Sequence, residues 1–424
     1  MLNYINSKYK PTGKDLVCEY YVEPSKGTSL EVAAENLAGE SSIGTWTKLS
    51  TMNEKIANKL RPTVFYINKK DKIIKIAYPQ DLFEPGNMPQ ILSSIAGNIY
   101  GMKIIKNLRL EDITFPKKLV ESFPGPKFGI KGIRKLLKVK TRPLVGTIVK
   151  PKVGLNEKQH AMVAYESWIG GLDIVKDDEN LSSMSFNNFY ERVRQTLKAR
   201  DMAEVKTGER KIYMPNVTAE SKEMLKRAEY LKKLGGEYIM IDILTAGFSA
   251  LQTLREANLG LVIHAHRAGH AALTRNHQHG ISMLTIAKIS RLLGVDQLHI
   301  GTAVGKMDGA AIEVEAIENE IEARFIDENK KLHILEQRWH GIKPVFAVCS
   351  GGLHPGMSAE LIKIMGKNII AQYGGGVHGH PNGTRSGAKA ARQSVEAVMA
   401  KKTLKQYAKT HQELDEALKY WGCL

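Results

Sequence analysis

Residues 170–180 read GGLDIVKDDEN, an apolar run that ends in one lysine and three carboxylates. In an extended segment side chains alternate between faces, so Lys176 and Asp178 share one face while Asp177 and Glu179 start on the other. Where a strand gives way to a loop the backbone curls, which lets Glu179 swing round to join the first pair. Two convergent carboxylates make a hard-oxygen site suited to Mg²⁺, a cation that keeps positions open for water or substrate. A lysine at the centre of such a site repels the cation. It is a salt-bridge partner, a deprotonated amine or a modified side chain, unless the stretch is only a charged strand end. The surrounding chain has to decide between these.

Working outward, further strand-like apolar runs recur at 144–149, 212–215, 238–243, 261–264, 297–300, 345–348 and 369–372, making eight with 172–175. Helical spacing fills much of the sequence between them, at 157–168, 186–203, 222–234, 282–293, 311–324 and 358–365. Eight apolar strands alternating with helices predict a (β/α)8 TIM barrel. A doubly wound open sheet is the alternative, but its Gly-rich dinucleotide turn is missing after the first strand, where the chain reads KPKVGL. Residues 404–420 predict a terminal amphipathic helix outside the barrel. Upstream the pattern is mixed, with strands at 16–22 and 73–78, helices at 29–37 and 89–97, and a small-residue loop at 39–50. The Pro-, Gly- and Lys-rich stretch 115–132 puts the boundary near Pro124. The expected fold is α/β: an α+β N-terminal domain over 1–124 and a C-terminal barrel over 125–424.

Barrel enzymes gather their active groups at the C-terminal ends of the strands. Here those ends carry Lys150 and Lys152, then Lys176, Asp178 and Glu179, then His264, His266, Arg267 and His270. His299 follows, leading into GTAVGK with Lys306, then Ser350-Gly351-Gly352 and Gly374-Gly375-Gly376. Glycine-rich turns after the seventh and eighth strands are where barrels commonly hold phosphate. The HxHR sequence also suits a zinc pair, but no further imidazole or thiolate ligand signature accompanies it.

The 424 residues carry 61 Lys and Arg against 44 Asp and Glu, a net charge of +17. The basic residues are dispersed rather than gathered into a patch, which argues against nucleic acid and fits attraction of small anionic substrates. No apolar run is long enough to span a bilayer and the first residues lack the apolar core of a signal peptide, so a cytoplasmic protein without membrane association is expected. Cys18, Cys349 and Cys423 form neither a disulfide framework nor a zinc set.

GTIVKPK, GGLDIVKDDEN, HAHRAGH, HIGTAVGK, SGG and GGGVHGHP, in this order, resemble the large chain of ribulose-1,5-bisphosphate carboxylase/oxygenase (RuBisCO). GESSIGTWT and AGNIYG extend the resemblance over almost the whole chain, and its compact length is similar to the archaeal form III type. The resemblance implies Mg²⁺-dependent carboxylation of ribulose 1,5-bisphosphate to two 3-phosphoglycerate, with an oxygenase side reaction, in AMP or ribose-phosphate salvage. It implies that Lys176 takes up an activating CO2 as a carbamate and binds the metal with Asp178 and Glu179. Lys150 then acts around C2 with support from Lys152, His266 assists proton transfer, and Lys306 stabilises the new carboxylate. Arg267, His299 and Ser350, with Gly351 and Gly352, are implied at one phosphate, and Gly374 and Gly375, with Thr45 and Trp46, at the other. Glu40, Thr45, Trp46 and Asn98 are implied to reach the site from a partner subunit, so a homodimer or an assembly of dimers without small subunits is expected. GKMDG has aspartate where many members have glutamate, and SGGLHPG departs from the plant type after its SGG.

Two other readings remain for the sequence. A RuBisCO-like enolase or isomerase of a methylthio sugar phosphate would share barrel, carbamate and metal, yet such relatives typically replace several of the residues retained here. A non-enzymatic phosphate- or nucleic-acid-binding scaffold would leave the strand-end lysines and carboxylates without a purpose.

Overall fold

The computed structural model describes residues 3–45, 47, 49–304 and 311–424. The chain forms two compact units, one of Met1–Gly125, Gly269–Leu293 and Ala323–Ile342, the other of Pro126–Ala268, Gly294–Glu322 and Lys343–Leu424.

The first unit is built on a five-stranded mixed sheet. Asp15–Pro24 lies at its centre, antiparallel to Ile73–Pro79 and to Ile105–Thr114. Thr63–Asn68 forms one edge, and the short Gly280–Ile281 pairs in parallel with Ile105–Thr114 at the other. The helix Leu30–Glu40 begins at Ser29, whose hydroxyl accepts the Val32 N–H and satisfies an otherwise orphan donor. Three strands of this sheet, Thr63–Asn68, Ile105–Thr114 and Gly280–Ile281, lie outside the sequence expectation.

The second unit is the expected barrel. Its strands are Leu144–Ile148, Ile174–Lys176, Ile212–Met214, Tyr238–Asp242, Val262–His266, Gln297–Gly301, Phe346–Ser350 and Ile369–Tyr373, called first to eighth below. They run parallel in the spatial order third, second, first, eighth, seventh, sixth, fifth, fourth. Hydrogen bonds from Val217 N to Met240 O (3.0 Å) and from Met240 N to Pro215 O (2.9 Å) join the two ends of that order and close the ring. Leu144, Ile174, Ile212, Met214, Tyr238, Met240, Val262, Phe346, Val348 and Ile370 make one buried cluster. Ile130, Ile133 and Leu137 of the helix Gly129–Leu137 pack into the same cluster. Full burial of each aliphatic side chain contributes about 1.5–3 kcal/mol, before the opposing chain entropy.

Polar clamps fix the lower, N-terminal end of the barrel. Asp173 takes two 2.6 Å hydrogen bonds from Arg142 and one of 2.9 Å from Val145 N. Asp296 takes Arg255, Ile263 N (3.1 Å), Phe128 N (2.7 Å) and Gly129 N (3.3 Å).

The chain's end differs from expectation. The single helix expected over 404–420 is two, Leu404–Ala408 and Gln412–Trp421, with Thr403 capping the first. The long helix Gly383–Met399 precedes them and was not expected. Among the described residues no helix is long and apolar enough to cross a membrane.

Candidate active site

The second strand ends as the alternation requires. Register sets Lys176 beside Ile148 on one side and Met214 on the other. Lys176 is 1 % exposed, with Nζ donating to Asp177 O (3.0 Å) and lying 3.3 Å from Met240 Sδ. Glu179 does swing round: its Oε2 is 3.9 Å from Lys176 Nζ. Asp177 turns to the opposite side, where its carboxylate takes Tyr213 OH (2.7 Å), Arg192 Nε (3.1 Å) and Asn216 N (3.0 Å), with the His160 ring 3.0 Å away. That face is structural. Burial pushes the Lys176 amine below its ordinary value against the opposing charges of Glu179, Asp178 and Asp242, and Lys150 adds to the depression.

The first strand delivers two lysines to the same place. Lys150 Nζ is 2.6 Å from Asp178 Oδ2, and Lys152 Nζ is 3.5 Å from Glu179 Oε1. Asp178 Oδ1 also takes Asn180 N and Nδ2, both at 3.1 Å, which holds the carboxylate in place. Two hard carboxylates and a lysine therefore stand together. Among the described residues no group of three His, Cys, Asp or Glu stands placed to hold a metal ion.

Imidazoles and a guanidinium come from the fifth and sixth strands. His266 Nδ1 is 2.7 Å from Asp242 Oδ1, and its Nε2 faces Glu179 Oε2 at 3.8 Å. Arg267 Nε donates to His299 Nδ1 at 3.2 Å. Burial lowers the His299 imidazole well below its ordinary value, with the Arg267 charge next, which keeps it neutral and able to accept that bond. Burial also brings Arg267 down to about 10. Gly301 has φ +97, and a Cβ there would lie 2.6 Å from Arg267 Nη2, so glycine is what lets the guanidinium in. His264 faces Gln297 Oε1 at 3.3 Å inside the barrel rather than joining His266 at a common centre.

The last two strands supply backbone. Ser350 ends the seventh, followed by Gly351 (φ +130) and Gly352 (φ +78), a left-handed backbone that favours glycine. After the eighth, Gly374 sits beside the Lys150 side chain and Gly375 opens the turn Gly375–His378. His378 ties that turn to the first strand, with Nε2 2.9 Å from Thr147 Oγ1. The site thus offers amines and carboxylates at its centre and two amide-rich corners.

Residues 129–421 match the family model "Ribulose bisphosphate carboxylase large chain, catalytic domain", and residues 3–119 match that family's N-terminal domain. The chain belongs to the ribulose bisphosphate carboxylase large-chain family. It is 53% identical over 427 residues to the ribulose bisphosphate carboxylase of Methanocaldococcus jannaschii, covering 99% of this chain and 100% of that one. Among solved structures, the dimeric archaeal Rubisco of Hyperthermus butylicus superposes with a TM-score of 0.95 at 46% identity over 99% of both chains. The octameric Rubisco of Pyrococcus horikoshii superposes at 0.91 with 48% identity, over 99% of this chain and 96% of that one.

As a carboxylase of this family, the chain gathers Lys150, Lys152, Lys176, Asp178, Glu179, His266, Arg267 and His299 through the contacts above, while Ser350, Gly351, Gly352, Gly374 and Gly375 end neighbouring strands of the same barrel. In the first unit, Glu40 and Asn98 line one cavity of about 580 Å³ with Lys103 and Asn36. Thr45 is half-buried in the loop after Glu40. Trp46 and Lys306 lie outside the described residues. Sequence reasoning missed Asp242, Thr147 and His378. The signal for Asp242 was present: positions 238, 240 and 242 of the fourth strand share a face, and the carboxylate falls at its end.

Proposed function

We propose that this chain carboxylates ribulose 1,5-bisphosphate and yields two molecules of 3-phosphoglycerate, using Mg²⁺ held by Asp178, Glu179 and a carbamate on Lys176. The observation that carries this reading is the burial of Lys176 among carboxylates with its amine depressed. A depressed amine has more of the free base that attacks CO2: the N–C bond forms, one proton leaves the nitrogen for solvent, and a neutral amine becomes an anionic oxygen donor. The three hard oxygens that result suit Mg²⁺ in number and kind. When bound, the ion supplies Lewis-acid polarisation of oxygens at the reacting carbons.

The chain's own groups do the rest. A carbamate on Lys176 would supply an oxygen base for the proton at C3. Lys150, next to Asp178, gives and takes protons around C2, with Lys152 beside Glu179 in support. His266 assists proton transfer in enolisation and hydration. Arg267, His299 and Ser350, with the Gly351 and Gly352 amides, hold one phosphate, and Gly374 and Gly375 with Thr45 and Trp46 the other. Lys306 meets the new carboxylate after CO2 adds at C2. O2 competes for the same electron-rich carbon, giving the oxygenase side reaction. Glu40, Thr45, Trp46 and Asn98 come from the partner in a homodimer, alone or in larger assemblies, and the pathway served is nucleoside or ribose-phosphate salvage.

The test is incorporation of labelled CO2 into 3-phosphoglycerate by the purified protein with ribulose 1,5-bisphosphate and Mg²⁺, after preincubation with bicarbonate and without oxygen. Labelled product supports the reading. Proton exchange at C3 without labelled product would replace it with an enolase.

A further inference from the structure

The fourth strand carries a carboxylate that the chemistry above leaves unused. Tyr238 and Met240 belong to the buried barrel cluster, and Asp242 stands one step further along the same face. Strand register sets Asp242 directly opposite His266 of the fifth strand. The carboxylate is 3 % exposed, and its own backbone is fixed by a 2.9 Å hydrogen bond from Asp242 N to Thr218 Oγ1. Its Oδ1 lies 2.7 Å from His266 Nδ1. The other ring nitrogen faces Glu179 Oε2 at 3.8 Å, and the ring meets His299 edge-on with centroids 5.2 Å apart.

An ionised carboxylate can only accept, so the nitrogen bonded to it must carry the proton. In the neutral ring this leaves the lone pair on Nε2, the atom that faces Glu179. Without Asp242 both tautomers and a flipped ring become accessible, and Nε2–H would no longer accept. Metal-bound and catalytic histidines are oriented by carboxylates in the same manner.

We propose that Asp242 is a positioning residue that holds His266 as the Nδ1–H tautomer, with Nε2 presented as the acceptor for a substrate proton. The proposal rests on the assignment of His266 to proton transfer.

Two readouts test it. In ¹⁵N-histidine-labelled protein at a pH where the ring is neutral, with the His266 signals identified by their loss in His266→Ala, the wild type should show a protonated Nδ1 and an unprotonated Nε2. Asp242→Asn, which keeps an oxygen acceptor, should retain that pattern, and Asp242→Ala should lose it; an unchanged tautomer in Asp242→Ala overturns the proposal. In turnover, Asp242→Ala should lower kcat about 10²-fold and Asp242→Asn less. KM for ribulose 1,5-bisphosphate should stay within about threefold. In a His266→Ala background Asp242→Ala should cost nothing further, whereas equal losses in both backgrounds would show that Asp242 acts by another route. The tautomer measurement needs no turnover, so a protein that fails to carboxylate counts against the proposed reaction and leaves the tautomer result to stand or fall alone.

Discussion

At the lower end of the barrel, Asp173 and Asp296 are buried and each is met by an arginine and by backbone N–H groups. At the upper end, Lys176 is equally buried, yet its ammonium has a backbone carbonyl at 3.0 Å, a thioether at 3.3 Å and, among the described residues, no carboxylate nearer than Glu179 at 3.9 Å. Burial alone would raise the Asp173 carboxyl, but the hydrogen bonds and charge of Arg142 hold it below its ordinary range. Around Lys176 the charges of Glu179, Asp178 and Asp242 offset burial only in part, and the amine is pushed toward its neutral form. The lower end matches these two buried carboxylates and stabilises the fold. The other keeps a charge that folding would rather lose, which is the mark of a site built for chemistry.

Substitutions at the two ends should therefore part ways. Lys176→Met should lower labelled CO2 fixation by at least about 10³-fold, because no other side chain can supply the carbamate. Fixation within a few-fold of wild type would make Lys176 ordinary. Asp296→Ala, which strands Arg255 and three backbone amides, should cost about 3–5 kcal/mol in urea unfolding. A loss below about 1 kcal/mol would mean the lower clamp is no more than a surface ion pair. Lys176→Met should instead raise the stability of the metal-free protein, by about 1–4 kcal/mol, since an apolar chain of similar length replaces a poorly paired buried ammonium. A lower melting temperature for this variant would erase the contrast between the ends.

The smallest effect concerns His378. Burial brings its imidazole from 6.5 to about 4, against a backbone hydrogen bond at Ile148. The unfolded chain takes up this proton near the ordinary value and the folded chain only near about 4, so stability drains away as pH falls through that window. His378→Gln should flatten the dependence between pH 7 and 5; an identical slope would place the acid sensitivity elsewhere.

The barrel was legible because its strands are buried on both faces and read as uninterrupted apolar runs. Ile105–Thr114 was not, because polar groups occupy its buried positions: Arg109 donates to Thr274 O and Asn276 O, and Asp112 pairs with Lys288. Such a strand shows no clean alternation. Gly383–Met399 escaped because its buried face, Gly387, Ala388, Ala390, Ala391, Ser394, Val395 and Ala397, is mostly of small residues with a faint apolar signal that allow close approach. In the site, the facing of Lys176 and Asp178 followed from strand period alone, and the swing of Glu179 from the strand's end. Asp177 could be told from Asp178 only by that same period. The partners of His266, Lys150 and Arg267 depend on inter-strand register, which one-dimensional spacing does not carry.

The most direct measurement equilibrates the Mg²⁺-supplemented protein with ¹³CO2 and looks for a carbamate by ¹³C NMR. A carbamate resonance is expected in the wild type and is missing from Lys176→Met. The same resonance in both proteins, or none in a wild type that fixes CO2 at full rate, would contradict it.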